Sequence, residues 1–242
     1  MANIKDAITG YLRYTGNKEL KITTALVDMD GVLYDSMKNH TRAWVKLMKK
    51  NGIKCTRDEF YIYEGMTGED IIKMKFKSGA GKNVTDDEAQ ALYKVKGRYF
   101  TELGEPEMMP GTADVLKGLV EAGVRCVLVT GSGQQSILDK IEADYPGIFV
   151  ERVTSADVKR GKPNPEPYLK GMAKASAKGN ECIVIENAPL GVQAGHAAGC
   201  FTIGVTTGPI TEKELLKAGA DIVFASMADF TAALPELLAA LR

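Results

Sequence analysis

The chain has 242 residues, and 31 Lys and Arg against 31 Asp and Glu leave no formal net charge and a pI near 6.8. That balance argues against a nucleic-acid backbone or an anionic membrane as the main partner, since both are normally approached through a net basic surface. With 45% hydrophobic and 26% charged residues the composition is that of a globular protein with a real core, in one large domain or a core with a smaller module.

No apolar run nears the roughly 18 residues needed to span a bilayer, and Met1 to Leu20 lacks a signal peptide's apolar centre, so a soluble, cytoplasmic protein is expected. Cys55, Cys126, Cys182 and Cys200 are scattered, which reads as free thiols rather than a disulfide or zinc framework.

In chain order, Ile4, Ala7, Ile8, Tyr11 and Leu12 fall at helical spacing and predict an extra N-terminal helix within residues 1–20. A β-branched apolar run, Thr23 to Met29, then ends in Asp28-Met29-Asp30-Gly31. Two carboxylates at the carboxyl end of a buried strand are costly unless neutralised, and that edge of an open α/β sheet is where ligands bind.

About 90 residues without a convincing strand follow. His40 to Lys50 puts Ala43, Trp44, Leu47 and Met48 on one helical face, and Thr56-x-x-Glu59, Thr67-x-x-Asp70 and Thr85-x-x-Glu88 resemble capping boxes. An all-helical insertion is expected over 36–105, closed by Glu105-Pro106 and Pro110-Gly111.

Strand runs then recur at Val124 to Thr130, Phe149 to Thr154, Cys182 to Glu186, Phe201 to Thr206 and Asp221 to Phe224. Helical stretches lie among them at Thr112 to Glu121, Gln134 to Ala143, Pro165 to Ala177, Leu190 to Ala198 and Thr211 to Ala218. The alternation predicts an α/β fold, a doubly wound parallel sheet (Rossmann-like), with residues 1–35 and 106–242 as core and 36–105 as an inserted helical cap.

Three further strand ends or loops carry candidate chemistry. Thr130-Gly131-Ser132-Gly133 offers a hydroxyl and backbone N–H groups before a helix, which suits either a phosphate or a simple turn. The proline-rich loop Lys159 to Pro167 restricts Lys162, whose ammonium could bridge a carboxylate and a phosphoryl oxygen. Glu186-Asn187 supplies hard oxygens of low charge, which suit Mg²⁺.

Taken together and in this order, these motifs resemble the haloacid dehalogenase (HAD) superfamily of phosphotransferases. The insertion is similar to the helical cap of its β-phosphoglucomutase-like subfamily, and the resemblance runs from about Lys21 onward. It implies that Asp28 is the nucleophile, that Asp30 is the general acid and base, and that Thr130 with the N–H groups of Gly131 and Ser132 holds phosphoryl oxygens. It further implies that Lys162 neutralises charge beside Asp28 and that Mg²⁺ is bound by Asp28, Asp30, Glu186 and Asn187.

Many relatives carry a second acid where this chain has Asn187, which drops one negative charge; Glu64, in the cap loop Tyr63 to Gly68, could restore it. The sugar-phosphate mutase carries cations in that loop where this chain has Glu64 and Gly68. The combination of His40, Glu64, Lys96 and Asn187 resembles an inorganic pyrophosphatase branch, which implies that His40 and Lys96 contact the leaving phosphate. The expected function is therefore a Mg²⁺-dependent phosphohydrolase acting on pyrophosphate or another small phosphate. The alternatives are a β-phosphoglucomutase-like mutase or sugar phosphatase, and a non-catalytic phospholigand-binding domain. A monomer is expected, with a small phosphorylated substrate and no nucleic-acid or membrane partner. His196, flanked by small residues, reads as helix packing.

Overall fold

The computed structural model describes residues 3–133 and 135–241. Met1, Ala2, Gln134 and Arg242 lie outside the described residues, and so does the predicted helix start at Gln134.

Helix α1 (Ile4–Thr15) is capped by the Asn3 side chain and precedes strand β1 (Thr24–Val27). Helices α2 (Met37–Lys50), α3 (Arg57–Ile62), α4 (Gly68–Ala80) and α5 (Asp86–Thr101) follow. Next come α6 (Thr112–Glu121), β2 (Arg125–Val129), α7 (Gln135–Asp144), β3 (Phe149–Val153), α8 (Glu166–Lys174) and β4 (Cys182–Glu186). The chain continues through α9 (Pro189–Ala197), β5 (Phe201–Val205), α10 (Glu212–Ala218), β6 (Ile222–Phe224) and α11 (Met227–Ala240).

The six strands form one sheet in the order β3-β2-β1-β4-β5-β6, every neighbouring pair parallel. Successive side chains of a strand leave opposite faces of the sheet. Ala25 and Val27 therefore pack with α1, α6 and α11 through Tyr11, Leu119 and Leu234, while Leu26 joins Tyr168 of α8 and Ala194 of α9 on the other face. Helices cover both faces, and this explains why β1 and β4 read as unbroken apolar runs. Cys126, Cys182 and Cys200 are buried free thiols and Cys55 is half-buried.

Helices α2 to α5 enclose a separate apolar cluster that includes Trp44, Leu47, Phe60, Ile72, Phe76 and Ala89. The capping boxes at Thr56/Glu59 and Thr85/Glu88 are complete. At Thr67 the side chain accepts from the Asp70 N–H, while the shorter Asp70 carboxylate accepts from the Thr67 hydroxyl at 2.7 Å.

One element was not expected from the sequence. Helix α11 packs Phe230, Leu234 and Leu237 on the sheet although Pro235 lies inside it. Among the described residues no helix is long and apolar enough to cross a membrane.

Candidate active site

Strands β1, β2 and β4 deliver Asp28, Thr130 and Glu186 to one rim of the sheet. Asp28 is the first residue after β1, and its N–H donates to the Ile185 carbonyl at 3.1 Å, which extends the ladder by one bond. Its carboxylate meets Lys162: the buried Nζ lies 2.5 Å from Asp28 Oδ1 and 2.5 Å from Glu186 Oε1, and donates to the Val129 carbonyl at 3.2 Å.

Glu186 is engaged on both oxygens. Oε1 also accepts from the Tyr168 hydroxyl at 2.7 Å, and Oε2 accepts from the N–H groups of Asn187 and Ala188 at 3.1 and 3.3 Å. Both oxygens of Glu186, expected from the sequence to be a metal ligand, are thus met by protein donors in this structure, Lys162 among them.

Two carboxylates thus share one ammonium. Burial first, and then the Glu186 charge, push the Asp28 carboxyl well above its usual range against the pull of Lys162. For Lys162 burial acts downward, but Asp28 and Glu186 outweigh it and keep the ammonium charged.

Asp30 belongs to a second row. Its Oδ1 accepts from the Ser36 hydroxyl at 2.5 Å and faces His40 Nε2 at 3.1 Å, while His40 Nδ1 is met by Lys96 Nζ. An ammonium can only donate, so this contact puts the imidazole proton on Nε2, aimed at Asp30. Lys96 is buried among the rings of Trp44, Phe100 and Tyr93, with Nζ 5.0, 5.3 and 5.7 Å from their centroids. Burial lowers Lys96 from 10.5 to about 7, opposed by the Asp30 charge. His40 is lowered too, by burial and then by Lys96. Burial acts upward on Asp30, but His40, Ser36 and Lys96 together bring it below the usual carboxylate range.

The cap loop reaches this rim. Gly65 has φ +92°, and a Cβ added there would stand 2.9 Å from Lys162 Cδ; one added at Gly131 would stand 2.6 Å from the Gly65 carbonyl oxygen. Bare backbone at these two positions lets cap and core meet. It also delivers Glu64, whose Oε1 accepts from Asn187 Nδ2 at 3.0 Å. Burial pushes the Glu64 carboxyl well up; the Asn187 bond opposes this, and the charges of Asp28, Asp30 and Glu186 add to it.

Thr130 Oγ1 accepts from the Ser132 N–H at 3.0 Å, which shapes the turn after β2. Asp28, Asp30, His40, Glu64, Lys96 and Ser132 are among the residues around a partly open cavity of about 50 Å³, and Gly131 lines it as well. One water needs about 10–15 Å³, so the space suits a few waters or one small anion. His196 is remote from it, stacked on Tyr14 at a centroid distance of 4.6 Å.

The donor set fits a hard divalent cation. Asn187 Oδ1 is a buried carbonyl oxygen with no hydrogen-bond partner among the described residues, and it lies beside Gly31 in the Asp28–Gly31 segment. Among the described residues no three His, Cys, Asp or Glu side chains converge as a resident metal site would require. Few protein oxygens, completed by water and substrate, is nonetheless the arrangement Mg²⁺ accepts.

Ser36, Tyr168 and Tyr93 were not singled out in the sequence. A serine in a turn and aromatics at helical spacing give no signal of the bonds they make here.

Residues 25–205 match the haloacid dehalogenase-like hydrolase family. Hexitol phosphatase A of Escherichia coli is 34% identical over 184 residues, covering 74% of this chain and 81% of the relative. β-Phosphoglucomutase of Bacillus subtilis is 28% identical over 214 residues, 85% of this chain and 90% of the relative. A solved structure from Bacteroides vulgatus, provisionally named a β-phosphoglucomutase, superposes with a TM-score of 0.94 at 45% identity over 99% of this chain and 98% of that one.

Proposed function

This chain belongs to the haloacid dehalogenase-like hydrolase family, and we propose that within it the protein is a phosphatase working through a phosphorylated Asp28 on a compact phosphate, inorganic pyrophosphate best of all. The observation that carries the reading is Asp28 paired with Lys162 at 2.5 Å beside a cavity of only about 50 Å³.

In the first step an Asp28 carboxylate oxygen forms a bond to phosphorus as the bond to the leaving oxygen breaks, and Asp30 gives the leaving oxygen a proton. In the second, water attacks the phosphorus of the aspartyl phosphate, Asp30 takes its proton, and Asp28 leaves as carboxylate. Lys162 offsets charge on the reacting oxygens, and the N–H groups after Thr130 orient them. Lys96 and His40 form a hydrogen-bonded row behind Asp30 that orients its carboxylate. Asp28, the Asp30 carbonyl and Asn187 would hold Mg²⁺, with Glu64 beside them; when bound, the ion adds the positive charge that this acid-rich site lacks.

A second reading, hydrolysis of a sugar or sugar-alcohol phosphate, is favoured by the 34% identity to a hexitol phosphatase. A mutase reading is weaker, because Glu64 and Gly68 stand in the cap loop where a second phosphate would need cations. The deciding experiment measures phosphate release with and without Mg²⁺ from pyrophosphate, sugar phosphates, sugar-alcohol phosphates and nucleotides. Fastest release from pyrophosphate supports the first reading and fastest release from a polyol ester the second. Interconversion of hexose monophosphates without release supports the mutase, and a wholly negative panel sinks all three.

A further inference from the structure

Tyr93, on α5, is the one described residue that lines both the active-site cavity of about 50 Å³ and a separate recess of about 470 Å³ outside the cap–core junction. Its ring is held from three sides. The Tyr93 hydroxyl accepts from the Gly133 N–H at 3.2 Å, which ties the cap to the core turn after β2. The ring stacks on Trp44 at a centroid distance of 6.1 Å and 25°. It also lies so close to Gly68 that a Cβ there would come within 2.1 Å of it.

The recess has its own chemistry. Glu69, Asp70 and Asp86 balance Lys73, Lys94 and Lys159, and Lys73 already pairs with Asp86. No net positive field therefore awaits a second phosphate, whereas Gln90 and Ser155 offer amide and hydroxyl groups. A neutral polyhydroxylated chain is the ligand such a lining suits.

We propose that Tyr93 sets the size of substrate this protein accepts: the ring walls the phosphoryl cavity off from a subsite shaped for an uncharged, polyhydroxylated leaving group. With the ring in place, a leaving group has no path past Tyr93 into the recess. With the ring displaced, a hexitol or similar chain extends from the phosphoryl position into the recess. The inference rests on the phosphatase reading, and the experiment separates the two.

Initial rates of phosphate release, with Mg²⁺ present, are measured on pyrophosphate and on sorbitol 6-phosphate for the parent, Tyr93→Ala, Tyr93→Phe and Gly68→Ala. Circular dichroism checks that each variant folds. In Tyr93→Ala the ratio of kcat/KM for sorbitol 6-phosphate to that for pyrophosphate rises at least tenfold, mainly through a lower KM for the larger ester. Tyr93→Phe keeps the wall and loses the hydroxyl's ties to the Gly133 N–H and the Ser132 side chain, which affects both substrates alike, so its ratio moves less than threefold. Gly68→Ala keeps every atom of Tyr93 but pushes the ring off its seat, and it shifts the ratio in the direction of Tyr93→Ala; it carries the test alone should Tyr93→Ala not fold. A ratio within twofold of the parent's in the folded variants, with the parent active on either substrate, overturns the inference and leaves the phosphatase reading standing. A parent inactive on every phosphate overturns both.

Discussion

Glu186 Oε1 lies 2.5 Å from Lys162 Nζ, the same distance at which that ammonium meets Asp28. Lys162 is thus gripped from behind by one carboxylate and presented to another. Glu186→Gln keeps the oxygen and the shape but removes the charge that anchors the ammonium. Turnover should fall about 100-fold, on the scale of a misplaced catalytic group, while Mg²⁺ affinity measured by calorimetry stays within about twofold. A loss of affinity beyond tenfold would mean that Glu186 reaches the ion after all.

Asp28→Asn should abolish turnover and leave the protein at least as stable. The Asp28 carboxyl is raised in the folded state, so its ionisation weakens the fold progressively as pH climbs above the ordinary carboxylate value near 4. The amide leaves Lys162 paired one-to-one with Glu186. In metal-free buffer at pH 7.5 the variant should melt at or above the parent's temperature, and residual phosphate release above about one thousandth of the parent's would contradict the nucleophile assignment.

Gly65→Ala tests the seating of the cap. At φ +92° an alanine is strained, and its methyl would press on Lys162 Cδ from 2.9 Å. The loop should lift, carrying Glu64 away from Asn187, and kcat/KM should drop about 100-fold or more. Because helices α2 to α5 keep an apolar cluster of their own, far-ultraviolet circular dichroism should be unchanged. Full activity would show that the site works with the cap raised.

Lys96→Met probes the buried donor row. A lysine lowered from 10.5 to about 7 weakens the fold in full below about pH 7, and that cost fades as pH rises towards 10.5. The variant's stability relative to the parent should accordingly be greater at pH 6 than at pH 10, by about 4 kcal/mol at ~1.4 kcal/mol per pH unit. Denaturant titrations at both pH values check the sign. Turnover should fall ten- to 100-fold as His40 loses the contact that orients it towards Asp30, and a stability difference independent of pH would place the ammonium in solvent.

The sheet was legible because its strands are buried on both faces: Cys182–Glu186 stands where the apolar run places it. The cap helices announced themselves through Thr56/Glu59 and Thr85/Glu88, local signals confined to four residues. Helix α11 escaped notice because Pro235 argues against a helix and only packing of Phe230 and Leu237 on a completed sheet outweighs it. At the site, residue types and strand ends were readable, but partnerships were not. Glu186 bonds Tyr168 and Lys162 from two other segments, and His40 lies between Asp30 and Lys96 rather than standing alone. Such contacts depend on how the cap closes, which no local pattern encodes.

The Ile22 N–H donates to the Leu241 carbonyl at 3.2 Å, and α1 packs on α11. The core therefore closes by joining its earliest and latest segments, whereas α2 to α5 come from one continuous stretch with its own cluster. During synthesis the cap can gather as soon as its last helix has left the ribosome. The platform beneath it must wait for α11, so the lid can form in the nascent chain before it has a floor.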